Sequence, residues 1–154
     1  MATLFQSKAA KGVTAIPYPG TAGGVVALRT SFTFPSTIGA GDIVEMGVIP
    51  AGCRLIDAIL DADDLDTGGE PAITLDVGIM SGSFGVSDNT RTCGSEIFAA
   101  STVGQAGGLV RPTAKGAARI AVSGSERAVG IKVAAAAATA AEGTVGLTLI
   151  YATE

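Results

Sequence analysis

The 154-residue sequence contains no histidine and no tryptophan, and only 5% of its residues are aromatic. Without histidine, the commonest general base and zinc ligand is gone, together with every Ser-His and Cys-His nucleophile pair. The scarcity of aromatics leaves a core of Val, Ile, Leu and Ala, thin side chains that need close backbone approach. Charge is sparse as well: Asp, Glu, Lys and Arg make up 16% of the chain, against about a quarter in an average soluble domain. A chain with so little charge to cover its surface is expected to turn much of that surface toward protein. The 10 basic residues stand singly and the net charge is −4, so the basic stripe of a nucleic-acid binder is missing. Cysteine is limited to Cys53 and Cys93, which fit neither a CxxC nor a zinc spacing. The favoured reading is two small buried apolar residues in a reducing compartment rather than a disulfide. No stretch of about 18 residues is strongly apolar and free of charges and turn residues, so no membrane span is expected. The N-terminal "MATLFQSKAAKG" lacks the apolar run of a signal peptide.

What is present is a period of two. In "VALRTSFTF" Leu28, Phe32 and Phe34 fall on one face, and Pro35 ends the strand. "DIVEMGVI" groups Val44, Met46 and Val48, "PAG" makes a turn, and "CRLIDAIL" is expected to point Ile56, Ala58 and Leu60 inward with Asp57 and Asp61 outward. "AITLDVGIM" alternates Ile73, Leu75, Val77 and Ile79 against polar or small residues. "ARIAV" (Ile120, Val122), "AVGIKVA" (Val129, Ile131, Val133) and "TVGLTLIY" (Val145, Leu147, Leu149, Tyr151) continue the pattern. The stretch 81–95 is a polar loop organised around Asp88, Asn89 and Arg91, and Ser95 is a candidate cap for a short helix over Ile97–Ala99. "VAAAAATAAEG" has helical composition but lies between two alternating segments, which favours strand, loop, strand. The sum is about seven or eight short strands, a single all-β domain of antiparallel β-sandwich or jelly-roll-like form. This domain is expected over residues 25–154, preceded by an extended N-terminal arm over residues 1–24. Pro17, Pro19 and four glycines in "KGVTAIPYPGTAGG" keep the arm from ordering by itself. Leu4, Phe5, Ile16 and Tyr18 are its candidate partner-binding anchors.

The stretch "DADDLDTGGE", residues 61–70, holds five carboxylates. A calcium loop wants oxygen ligands at alternate positions and glycine at its sharp turn. Counting from Asp61 or from Asp64 breaks that template, leaving only a looser cation site near Asp61, Asp63 and Asp66. Asp66-Thr67-Gly68 matches the core of aspartic-protease loops, in which two aspartates share one proton. A dimeric protease using Asp66 is therefore an alternative function. The flanks differ from that family's pattern, since Asp64-Leu65 precedes and Gly69 follows. A wet turn between the strand ending near Leu60 and the one starting at Ile73 accounts for every residue and is favoured. The Gly-rich "PGTAGG" and "GQAGG" lack the Lys and Ser/Thr of a phosphate loop. No catalytic, cofactor-binding or metal-binding residue is assigned.

Taken together, "VIPAGCRLIDAILDADDLDTGGEPAITLDVGIMSG", "SDNTRTCGSEIFAAST" and the final "GTVGLTLIYAT" resemble the head decoration, or cement, proteins of tailed bacteriophages. The likeness is one of overall texture over roughly residues 25 to 152 and carries no site residues with it. It implies a non-enzymatic virion protein on the capsid exterior, made in the host cytoplasm, that clamps neighbouring capsomers. The implied partners are the major capsid protein and further copies of the chain, a trimer rather than a dimer. Neither nucleic acid nor membrane is an expected partner. Another virion part, such as a tail or fibre module, and a ligand-binding sandwich are the remaining alternatives.

Overall fold

A computed structural model describes residues 2–21 and 23–154. Its strands are β1 (Leu4–Gln6), β2 (Val25–Phe34), β3 (Ile43–Ile49), β4 (Cys53–Ala62), β5 (Thr74–Ile79), β6 (Phe98–Ser101), β7 (Gly108–Val110), β8 (Arg127–Ala135) and β9 (Gly143–Thr153). They form two sheets, ordered β1-β3-β8-β5-β6 and β2-β9-β4-β7. All pairings are antiparallel except β1 with β3. The protein is an all-β sandwich.

Strand alternation builds the core. Leu28 and Phe34 of β2, Leu55, Ala58 and Leu60 of β4, and Val145, Leu147, Leu149 and Tyr151 of β9 point inward from one sheet. Val44 and Met46 of β3, Leu75 and Val77 of β5, and Val129, Ile131 and Val133 of β8 meet them from the other. Each Val, Leu, Ile, Met or Phe side chain among them contributes about 1.5–3 kcal/mol when fully buried. The five-stranded sheet is also covered on its outer face, where Ile43, Met80, Cys93 and Ala128 form a second cluster with Leu4 and Phe84. This explains why every residue of β3 is buried. Cys53 and Cys93 are both buried and unpaired with each other.

The chain crosses between the sheets at the predicted "PAG" turn, where Cys53 N–H donates to Pro50 O (3.2 Å) and Gly52 takes φ +71°. The Ala-rich segment is strand, loop, strand, with β8 ending at Ala135 and β9 beginning at Gly143.

Four sequence expectations are corrected. Val48 does not share the inward face of Val44 and Met46: the β3–β8 register shifts between Glu45 and Gly47, so Gly47 faces Leu28 and Leu149, and Ile49 joins the core in place of Val48. Ile56 does not point inward; it is 52% exposed. The β4–β9 register shifts between Leu55 and Asp57, so Ile56 is the extra residue of a bulge, and Leu55 takes the inward place. "ARIAV" is not a strand. Ala117–Arg119 is a 3-10 turn, and the residues after it belong to the crossover from β7 in one sheet to β8 in the other. Its carbonyls are taken instead by Arg127, which donates to Ala121 O, and by Gly52 N–H, which donates to Ser123 O (2.8 Å). No helix starts at Ser95, because Ile97 N–H donates to Val77 O (2.9 Å) and draws the segment alongside β5 as β6.

The N-terminal segment lies on its own body. Residues Leu4 to Gln6 register with Ile43 to Glu45. Further along, the buried Tyr151 hydroxyl donates to Pro17 O, and Gly23 N–H donates to Thr153 Oγ1 (3.1 Å). Phe5 of one sheet packs on Phe32 of the other at 5.8 Å between ring centroids, closing that side of the sandwich.

Candidate functional site

The acidic stretch 61–70 folds around Asp66, whose carboxylate is enclosed by backbone amides. Asp66 is 1% exposed. Its Oδ1 accepts from the amides of Gly68 (3.2 Å) and Thr139 (2.8 Å). Its Oδ2 accepts from those of Ala72 (2.7 Å), Ile73 (3.2 Å) and Ala138 (2.8 Å). Burial by itself pushes the carboxyl pKa up; the amide bonds from Thr139, Ala72, Ala138 and Ile73 outweigh it and hold the group far below the usual carboxylate range. Asp66 thus ties the β4–β5 connection to the β8–β9 connection, which also meet in the bridge between Asp66 and Ala140. A protease aspartate must face substrate and share a proton with its mate; this carboxylate is enclosed, ionised and filled by its own chain.

The neighbouring carboxylates are likewise engaged. Asp61 pairs with Arg29 across β9, Asp63 accepts from Thr144 N–H (2.8 Å), and Asp64 accepts from Asp66 N–H (3.0 Å). The Arg29–Asp61 bridge passes over Gly146, where an added Cβ would stand 2.5 Å from both partners. Among the described residues no group of three or more His, Cys, Asp or Glu side chains is placed to hold a metal ion. The expected wet turn is corrected at Asp66 alone: the connection is a turn, built around a buried anion.

Sequence reasoning missed a second buried polar centre. Glu45 is fully buried and pairs with Arg91 at 2.8 Å. Its carboxylate also accepts from Gln6 Nε2 (3.0 Å) and Gly85 N–H (3.2 Å). Arg91 in turn donates to the carbonyls of Ser81 (2.6 Å) and Val86 (2.8 Å). The polar loop 81–95 is therefore ordered around Arg91, as expected, and also fastened to β3 and to the N-terminal segment. The only signal was Glu45 itself, an acid inside the apolar run "DIVEMGVI".

Of the four predicted anchors, Leu4, Phe5 and Ile16 are half-buried against the two clusters of their own chain. Tyr18 is 57% exposed, with its hydroxyl donating to Ala51 O (3.3 Å). The sandwich has one covered face and one open face. On the open face of the four-stranded sheet the register aligns Val25 with Ala152, Ala27 with Ile150, and Ile59 with Thr148, alongside exposed Leu109 and Ile56. Two surface depressions, of about 300 Å³ and about 310 Å³, are lined by Ala, Ser and Thr residues with Ile97, Phe98, Val110 and Arg111 in the first, and by Gln6, Lys8, Lys11, Ser31, Phe32 and Thr33 in the second. No helix among the described residues is long and apolar enough to cross a membrane.

No protein-family model and no curated protein matches the chain. Solved structures do. The fold is similar to that of a chain in the capsid of Ralstonia phage GP4, with 54% sequence identity, a TM-score of 0.94 and 99% of each chain covered. It is similar as well to a chain of the cyanophage Pam1 capsid asymmetric unit, at 34% identity and a TM-score of 0.71, with 92% of this chain and 93% of that chain covered. Identity at these levels over nearly whole chains extends well past a shared sandwich architecture: the chain belongs to the family of bacteriophage capsid components to which those two chains belong.

Proposed function

We propose that, within this family, the chain is a head decoration protein that binds the outer surface of the capsid and stabilises contacts between capsomers without catalysing any reaction. The observation that carries the proposal is the 54% identity over 99% of each chain to a component of a phage capsid. The physical reading supports it. The body is stiffened by two buried polar knots, Asp66 and the Glu45–Arg91 pair, that lock its loops to its strands. The winding of β2 to β9 fits a jelly-roll reading of the sandwich. Its partners are the major capsid protein and two further copies of itself, on the capsid exterior after synthesis in the host cytoplasm.

Residues 1–24 serve as the arm and residues 25–154 as the body. Leu4, Phe5 and Ile16 hold the arm in a fixed pose and leave their exposed edges for a neighbour, and Tyr18 is the principal contact. Repetition over a symmetric shell multiplies modest contacts through avidity. The test is co-sedimentation of the purified protein with heads assembled without it. Saturable binding is expected, and failure to sediment at every salt concentration overturns the proposal.

A further inference from the structure

The sandwich has four edge strands, and they are unequal. β1, β6 and β7 span 3, 4 and 3 residues, whereas β2 spans 10. Short edges are how natural sheets avoid unwanted pairing; β2, "VALRTSFTF" preceded by a further Val, is long, rich in β-branched and aromatic residues, and free of proline. It pairs only with β9. Among the described residues, no other backbone hydrogen bond is made by residues 25–34. Along this edge runs a groove of about 310 Å³ between Ser31–Thr33 and Gln6, Lys8 and Lys11. It continues into a space of about 120 Å³ beside Arg29 and Thr30. Lys8 and Lys11 are exposed, and among the described residues neither has an acidic partner within ion-pair distance.

We propose that β2 is a docking edge that accepts an extended, acidic segment of another polypeptide as a fifth strand of its sheet. The inference rests on the capsid-binding function proposed above and names the mode of contact. Main-chain hydrogen bonds to the free edge supply the affinity. Lys8 and Lys11 on the rim select carboxylate side chains on the incoming strand. A second copy of this chain is a poor occupant. Two copies meeting edge to edge along β2 would bring the unpaired Lys8 and Lys11 of both into one seam, where like charges repel.

The experiment measures amide hydrogen exchange of the full-length protein, free and bound to heads assembled without it. Alternate amides within residues 25–34 are expected to exchange freely in the unbound protein and at least about 100-fold more slowly on the head. The Lys8→Glu/Lys11→Glu variant, its thermal unfolding unchanged, is expected to bind heads at least about 10-fold more weakly at low salt, converging with wild type as salt rises. Binding with β2 exchanging at its free rate overturns the docking edge and leaves the capsid-binding function standing. No binding at all overturns both. Protection of β2 in the free oligomer makes a second copy the occupant, and unchanged affinity of the charge-reversed variant removes the acidic partner; either result overturns the proposal.

Discussion

Asp66 is surrounded by five backbone amides, and a side chain that can only accept is what those donors require. In Asp66→Asn the amide NH₂ would face N–H groups, leaving buried donors unmet. The expected drop in Tm exceeds that of Asp63→Asn or Glu70→Gln in the same loop, measured by circular dichroism. Because the folded pKa of Asp66 is depressed below its ordinary 3.8, the unfolded chain takes up the proton first as pH falls. The stabilisation is therefore complete above about pH 5 and is lost progressively below it. At the alkaline end, burial pushes the Cys93 thiol up to about 11 and the Tyr151 phenol up to about 12. The unfolded chain releases these protons first, so stability falls as pH rises from about 9 through those values. Thiol-directed reagents at neutral pH are expected to label Cys93 only after denaturation.

At the scale of elements, the bulge in β4 decides which apolar residues matter. Ile56→Thr is expected to change unfolding free energy by less than about 0.5 kcal/mol, as at an ordinary surface position. Leu55→Ala or Leu60→Ala should cost about 2–5 kcal/mol, and a urea titration separates the two classes. Arg91→Ala leaves Glu45 buried without its cation, at a cost of about 3–5 kcal/mol. Exchange data on that variant should show loop 81–95 opening before the sheets. The alternation in β2, β5, β8 and β9 is legible in the sequence, since a strict period of two leaves little choice of face. The bulge was not, because one extra residue inverts the parity and only the pairing with β9 shows where it falls. The supposed "ARIAV" strand carries the right pattern too, but among the described residues no strand lies beside it to pair with.

For the whole molecule, a simple truncation of the N-terminal segment would confuse its packing on the body with the partner-binding role proposed for it. Deleting residues 1–20 removes β1, the Gln6 contact to Glu45 and the carbonyl that receives the Tyr151 hydroxyl. Loss of head binding in that deletion would reflect damage to the body as well as loss of the arm. Tyr18→Ala is the cleaner probe: its ring is exposed and its single hydrogen bond is long. It should leave Tm within about 2 °C of wild type while weakening co-sedimentation with heads. A mass three times that of the chain in solution, by light scattering, is the expected oligomeric state.

The sequence by itself determined the all-β fold class. The alternation of Val, Ile and Leu is a local property that survives without knowledge of neighbours. Only the tertiary structure decided what the polar residues do. Asp66 and Glu45 look like surface acids when read along the chain, because the amides and the guanidinium that make their burial tolerable come from segments remote in sequence, Ala138–Thr139 and Arg91. The open edge of β2 belongs to the same kind: whether a strand has two neighbours or one is set by sheet order, which no stretch of residues encodes alone.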